Sequence, residues 1–184
     1  LALGTALAFH FHGVRAPRPA GIEALGGSQP LYDPADKPIK VNLKGVNPAT
    51  GKWSDFPVTI RQSKSRLNQM KQAVLAFLED APRLDIPAGL SLNELYWSQH
   101  TGAVVDLSTA DLPEGSMGFY EELLVVRGLI ETLSKNFPEV RAVKILVNGQ
   151  EAPTVAGHYA LGTTEAAAPV APAANPFEET YGNQ

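Results

Sequence analysis

The chain has 184 residues, and its 15 Lys and Arg against 19 Asp and Glu give a formal net charge of −4. That length holds one well-buried domain with loose ends, and the lack of a basic stripe argues against a nucleic-acid partner. With no cysteine in the sequence, disulfides, thiolate metal sites, cysteine catalysis and a lipid-modified cysteine are excluded within it.

Residues 1–14 (LALGTALAFHFHGV) are apolar and uncharged. The run is shorter than the about 20 residues that a spanning helix needs. It is expected to be the remnant of a membrane anchor. Residues 15–38 carry Pro17, Pro19, Pro30, Pro34, Gly21, Gly26 and Gly27, a linker composition. At the other end, residues 164–184 contain the run AAAPVAPAA, which favours an extended tail without a core.

The domain is expected between them, over residues 39–163. Ile39 to Gly45 alternates apolar and polar residues and predicts a half-buried strand. Asn47 to Gly51 is a turn cluster, and a long polar connection runs from Asn47 to Phe56 before a short second strand, Pro57 to Arg61. Leu67, Met70, Val74, Phe77 and Leu78 share one helical face, with Ser63 or Ser65 to cap it and Pro82 beyond its end. Leu92 to Trp97 and Ala103 to Leu107 predict an antiparallel hairpin. A second helix begins near Phe119, its apolar face taking Phe119 or Tyr120, Leu123, Val126, Ile130 and Leu133. Glu121 and Glu122 sit in its first turn, where the helix dipole favours acids. Arg141 to Val147 is the last strand, closed by Asn148 and Gly149. The order predicts an α+β two-layer sandwich, a small and mostly antiparallel sheet with two helices on one face.

These segments carry a resemblance. LEDAP ends the first helix at Pro82, IPAG follows at Ile86–Gly89 with Pro87 within it, and GAVVDLS spans Gly102–Ser108 with Asp106, Leu107 and Ser108 at its end. Thr132 and Leu133 lie near the end of the second helix, and the last strand runs into Gly149. In order and spacing the pattern resembles the GerMN domain of sporulation and spore germination proteins over roughly residues 38–163. The resemblance implies a fold like the small modules of ring-building channel proteins. It also implies a position outside the cytoplasmic membrane, on the periplasmic or cell-wall side, tethered by an N-terminal anchor. It carries over no catalytic residue, metal or cofactor. The expected role is docking to envelope proteins or self-association. The alternative is an accessory domain that binds peptidoglycan.

Few residues offer candidate chemistry. Asp106 and Ser108 with His100 or His158 have the residue types of a hydrolase, but no G-x-S-x-G elbow is present. Asp106 at a strand end is expected to accept backbone N–H bonds, and Ser108 to start a turn. His10 and His12 have no third ligand near them in sequence. Glu121 and Glu122 are adjacent, so on a helix they diverge by about 100° and do not face each other as a glycosidase pair does. No catalytic, metal or cofactor residue is therefore assigned. Trp97 is the candidate contact for a glycan or a partner.

Overall fold

The computed structural model describes residues 30–100 and 102–162, with residues 165–166 as backbone. The apolar segment 1–14, the linker up to residue 29 and the Ala/Pro tail beyond 166 lie outside the described residues.

Strands β1 (Pro38–Asn47) and β2 (Lys52–Arg61) form an antiparallel hairpin in continuous register. The turn closes where the N–H groups of Thr50 and Gly51 both donate to the Asn47 carbonyl. The long polar connection expected up to Phe56 is thus a tight turn, and its second half, from Lys52, belongs to β2. Periodicity misses this because Lys52 to Asp55 are mostly exposed and backbone pairing carries the strand there, while Phe56 already packs against the core.

Side chains cover part of each edge of this hairpin. On the outer side of β1, the Asn42 N–H donates to Asn136 Oδ1 at 2.9 Å, and Asn136 Nδ2 donates back to the Asn42 carbonyl at 2.7 Å. The Lys44 N–H donates to Thr132 Oγ1 at 2.9 Å. The backbone groups of Asn42 and Lys44 therefore point away from β2, and so do those of their opposite partners, Pro57 and Asp55. Pro57 stands where a missing N–H costs the ladder nothing. At the strand's end Gln72 brackets Arg61, accepting its N–H at 2.9 Å and donating to its carbonyl at 3.1 Å. Side-chain amides here do what a neighbouring strand would do.

Helix α1 (Arg66–Glu79) starts at Ser65, whose Oγ accepts from the Asn68 N–H. It buries Met70, Val74 and Phe77 as its period predicts. A separate short helix, α2 (Ala81–Leu84), follows, with Pro82 in its first turn. Pro82 therefore opens a new helix, a position proline favours.

The second sheet has the order β3-β4-β5-β6, with β3 (Ser91–Ser98), β4 (Gly102–Ser108), β5 (Ala142–Val147) and β6 (Glu165–Ala166). The β3–β4 pair is antiparallel, with a bulge at Asn93. The β4–β5 pair is parallel, and α3 (Phe119–Asn136) makes the crossover between them. The fold is α+β as expected, but its strands fall into two sheets. The hairpin does not join the second sheet, because α3 lies along β1 instead.

Helices α1 and α3 pack on each other. Helix α1 also touches β2 and β3, and α3 touches β1 and β5, so one core joins both sheets. Gly128 permits the close approach. A Cβ there would lie 2.7 Å from the fully buried Phe77 ring and 2.9 Å from the Lys44 carbonyl oxygen. Enclosed on several sides, α3 buries ten of its eighteen residues, among them Glu122, Glu131 and Thr132. Its first two residues do not follow the expected apolar face: Phe119 and Tyr120 project from the core and are exposed.

Candidate functional site

The motif words at the ends of β4 and β5 meet in space. Asp106 is buried and its Oδ1 accepts the Gly149 N–H at 2.8 Å. The Asn148 N–H donates to the Leu107 carbonyl at 2.8 Å, and the Asn148 side chain bonds both the N–H and the hydroxyl of Thr109. Asn148 and Gly149 both have positive φ, 52° and 78°. This suits a two-residue hairpin turn, and the exchanged bonds between Val147 and Gln150 close it. Ser108 Oγ accepts the Ala110 N–H and starts the next turn. Leu107 is fully buried. The parallel pair is thus locked at its carboxyl end, where no hairpin of its own joins the strands. Asp106→Ala is expected to lower stability by about 1–3 kcal/mol, since it strands the Gly149 N–H. Urea unfolding at pH 7 checks this.

The remaining motif residues also have places in the architecture. Ile86 is buried, Pro87 is half-buried, and the turn they begin ends at Gly89 with φ 102°. A Cβ on Gly89 would collide with the Asp111 backbone. Thr132 and Leu133 are fully buried, the first holding β1 and the second filling the core.

The least expected polar group is Glu122. Its side chain is fully buried on the first turn of α3. Oε1 accepts the N–H groups of Val155 and Ala156, and Oε2 accepts those of His158 (2.9 Å) and Tyr159 (3.0 Å). Burial pushes this carboxyl up. The four backbone donors outweigh that effect and hold it below the ordinary value of 4.5. One carboxylate thereby fixes a loop, residues 151–162, that has no helix or strand of its own. Its neighbour Glu121 does the expected helix-start work, accepting the Gly118 N–H at 3.0 Å. A signal for Glu122 was present in the sequence: it shares a helical face with Val126, Leu129 and Leu133, so a carboxylate heads an apolar stripe.

The candidate catalytic residues are not assembled. His100 lies beyond the Gly102 end of β4, and Ser108 closes the other end, roughly 20 Å along the strand. His158 is half-exposed, with Nδ1 at 3.8 Å from Glu122 Oε2. Among the described residues no three His, Asp or Glu side chains converge as a metal site would require. Tyr96 and Trp97 alternate across β3. Tyr96 is 52% exposed, while Trp97 is half-buried against the core. The Trp97 Nε1 is buried and has no hydrogen-bond partner among the described residues.

Comparison with known proteins matches these features. The family model described as Germane, sporulation and spore germination, matches residues 32–153. Among solved structures, the tandem GerMN domains of the sporulation protein GerM from Bacillus subtilis superpose with a TM-score of 0.56 at 18% identity, over 71% of this chain and 46% of that one. The chain thus spans about half of that tandem structure. The first GerMN domain of the same protein superposes with a TM-score of 0.52 at 20% identity, over 70% of this chain and 97% of that one. No curated protein matches the chain. With its motif residues accounted for in the fold and its family model covering most of the domain, the chain belongs to the Germane family of sporulation and spore germination domains.

Proposed function

We propose that this chain is a non-catalytic interaction module of the bacterial envelope, held outside the cytoplasmic membrane and docking onto another envelope protein or onto copies of itself. One observation carries the reading. The motif residues that have reactive or polar side chains are occupied by structural bonds: Asp106 with Gly149, Ser108 with Ala110, and Thr132 with Lys44. Docking fits a domain whose recognisable residues build a frame. No helix among the described residues is long and apolar enough to cross a membrane, so in this reading a segment outside them supplies the tether.

The test immobilises the whole chain and offers it detergent-solubilised envelope proteins and purified sacculi in parallel. Sedimentation of the free chain reports self-association. The expected result is saturable protein binding or self-association that is unchanged in a His100→Ala, Ser108→Ala, His158→Ala triple variant. Turnover of a cell-wall substrate that this variant loses would overturn the reading. The second reading, a peptidoglycan-binding accessory domain, is favoured by the exposed ring of Tyr96 on β3. It requires sacculus binding that Tyr96→Ala or Trp97→Ala weakens without unfolding.

A further inference from the structure

The start of α3 and the loop fixed by Glu122 build one surface. Phe119 is 58% exposed and Tyr120 48% exposed, and the Phe119 ring meets Tyr159 with centroids 5.8 Å apart. Beside them opens a cavity of about 310 Å³, lined in part by Leu112, Pro113, Glu114, Met117, Val155 and His158. Exposed aromatic rings next to a hollow lined by both apolar and polar groups are the anatomy of a binding hot spot. The wall is also pre-formed, because Glu122 holds the backbone of Val155, Ala156, His158 and Tyr159. A wall already ordered loses little freedom on binding.

The charge around this surface identifies the occupant. The sequence has no Lys or Arg between Arg83 and Arg127, and none after Lys144. Every segment that lines the cavity comes from these two stretches. Asp111 and Glu114 are exposed here, whereas the cations among the described residues fall between Lys37 and Arg83 and between Arg127 and Lys144. An anionic membrane surface or an acidic peptide would be repelled. A cation gains twice, against the exposed ring of Phe119 and against the exposed carboxylates.

We infer that this aromatic and acidic face, at the start of α3 and over the adjoining cavity, binds an extended segment of a partner protein that pairs an apolar side chain with Arg or Lys. The apolar side chain enters the cavity between Leu112, Met117 and Val155. The cation lies over Phe119, the ring that meets the loop wall at Tyr159, and pairs with Glu114. Guanidinium suits this better than ammonium, since it stacks on rings and is more weakly hydrated. The inference rests on the docking reading and names the chemistry of the docked partner.

The experiment is an NMR titration of the whole chain with the peptide acetyl-Gly-Leu-Arg-Leu-Arg-Gly-amide. A second peptide carries citrulline, which has the same shape without the charge, in place of both arginines. Shifts are expected at the amides of residues 111–121 and 154–159, with the citrulline peptide binding at least five-fold more weakly. Glu114→Lys and Phe119→Ala, both at exposed positions, are expected to weaken the Arg peptide by a similar factor while thermal unfolding stays unchanged. Equal binding of the two peptides, shifts centred on the hairpin, or no saturable shift would overturn the inference. So would binding of N-acetylglucosamine oligomers at these amides without a response to the Arg peptide. Should the chain bind envelope proteins or itself while Glu114→Lys and Phe119→Ala leave that binding intact, this face falls and the docking reading stands.

Discussion

Glu122→Gln is expected to cost about 3–5 kcal/mol of folding stability at pH 7, because it breaks a buried charge-assisted network. The substitution keeps the size of the side chain and replaces one carboxylate oxygen by NH2. That NH2 group then faces two backbone N–H donors, and the remaining oxygen loses its charge. A midpoint drop on the order of 10 °C follows for a domain of this size. The pH dependence has a definite sign. The carboxyl is held below its ordinary 4.5 in the folded chain, so its contribution is complete above that value and is lost as pH falls through the folded pKa. Glu94 and Glu139 are lowered as well and add loss of the same sign. For Glu94, burial acts upward but the bonds to Lys71 and the Leu95 N–H outweigh it, and for Glu139 the Arg66 bond leads. Stability of the unmodified chain is therefore expected to fall on acidification below about pH 5, and that of the Glu122→Gln variant to fall less steeply over the same range. Urea titrations at a series of pH values separate the two. Parallel curves for the two proteins would mean that Glu122 does not hold the loop as a carboxylate.

Gly89→Ala is the second large effect, expected at about 2–4 kcal/mol. Two costs add. At φ 102° an L side chain is strained before it touches anything. The new Cβ would then meet the carbonyl of Asp111 in the turn that follows β4. Backbone on both sides prevents relief by a rotamer change. The glycine of the IPAG word is thus the point where the turn before β3 passes under the turn after β4. A thermal melt checks the size of the effect. A variant as stable as the parent would show that the two turns can separate freely.

The legibility of the chain divides along physical lines. Period-2 alternation marked β1, compact runs rich in aliphatic, β-branched or aromatic residues marked β3, β4 and β5, and period-3.6 patterns marked α1 and α3, because each of these segments enters a common core. Where burial is not the cause of the structure, the pattern said little. The start of β2, Lys52 to Asp55, is held by backbone pairing at the margin of the core. Helix α2 is a single turn, set by Ala81 and Leu84 entering the core and by Pro82 at its start. The split into two sheets depends on Thr132, Asn136 and Gln72 taking the place of strands, and nothing in their spacing announces that. Glu122 was legible only in part. Its place on the apolar stripe was visible, but its four partners lie more than thirty residues away in a loop without periodicity. The motif Asp106, Leu107, Ser108 was expected to be structural from its strand-end position; Gly149 bonds Asp106, Asn148 bonds the Leu107 carbonyl, and Ala110 bonds Ser108.

The side-chain bonds along β1 have a consequence for hydrogen exchange. The amide protons of β1 fall into two alternating sets. One set is protected by β2. The other, at Asn42 and Lys44, is protected by Asn136 and Thr132 of α3. A motion that lifts α3 from the hairpin would expose the second set and leave the first closed. The exchange rates of two neighbouring amides thereby measure two different openings of one strand, helix undocking and hairpin separation, on a single sample.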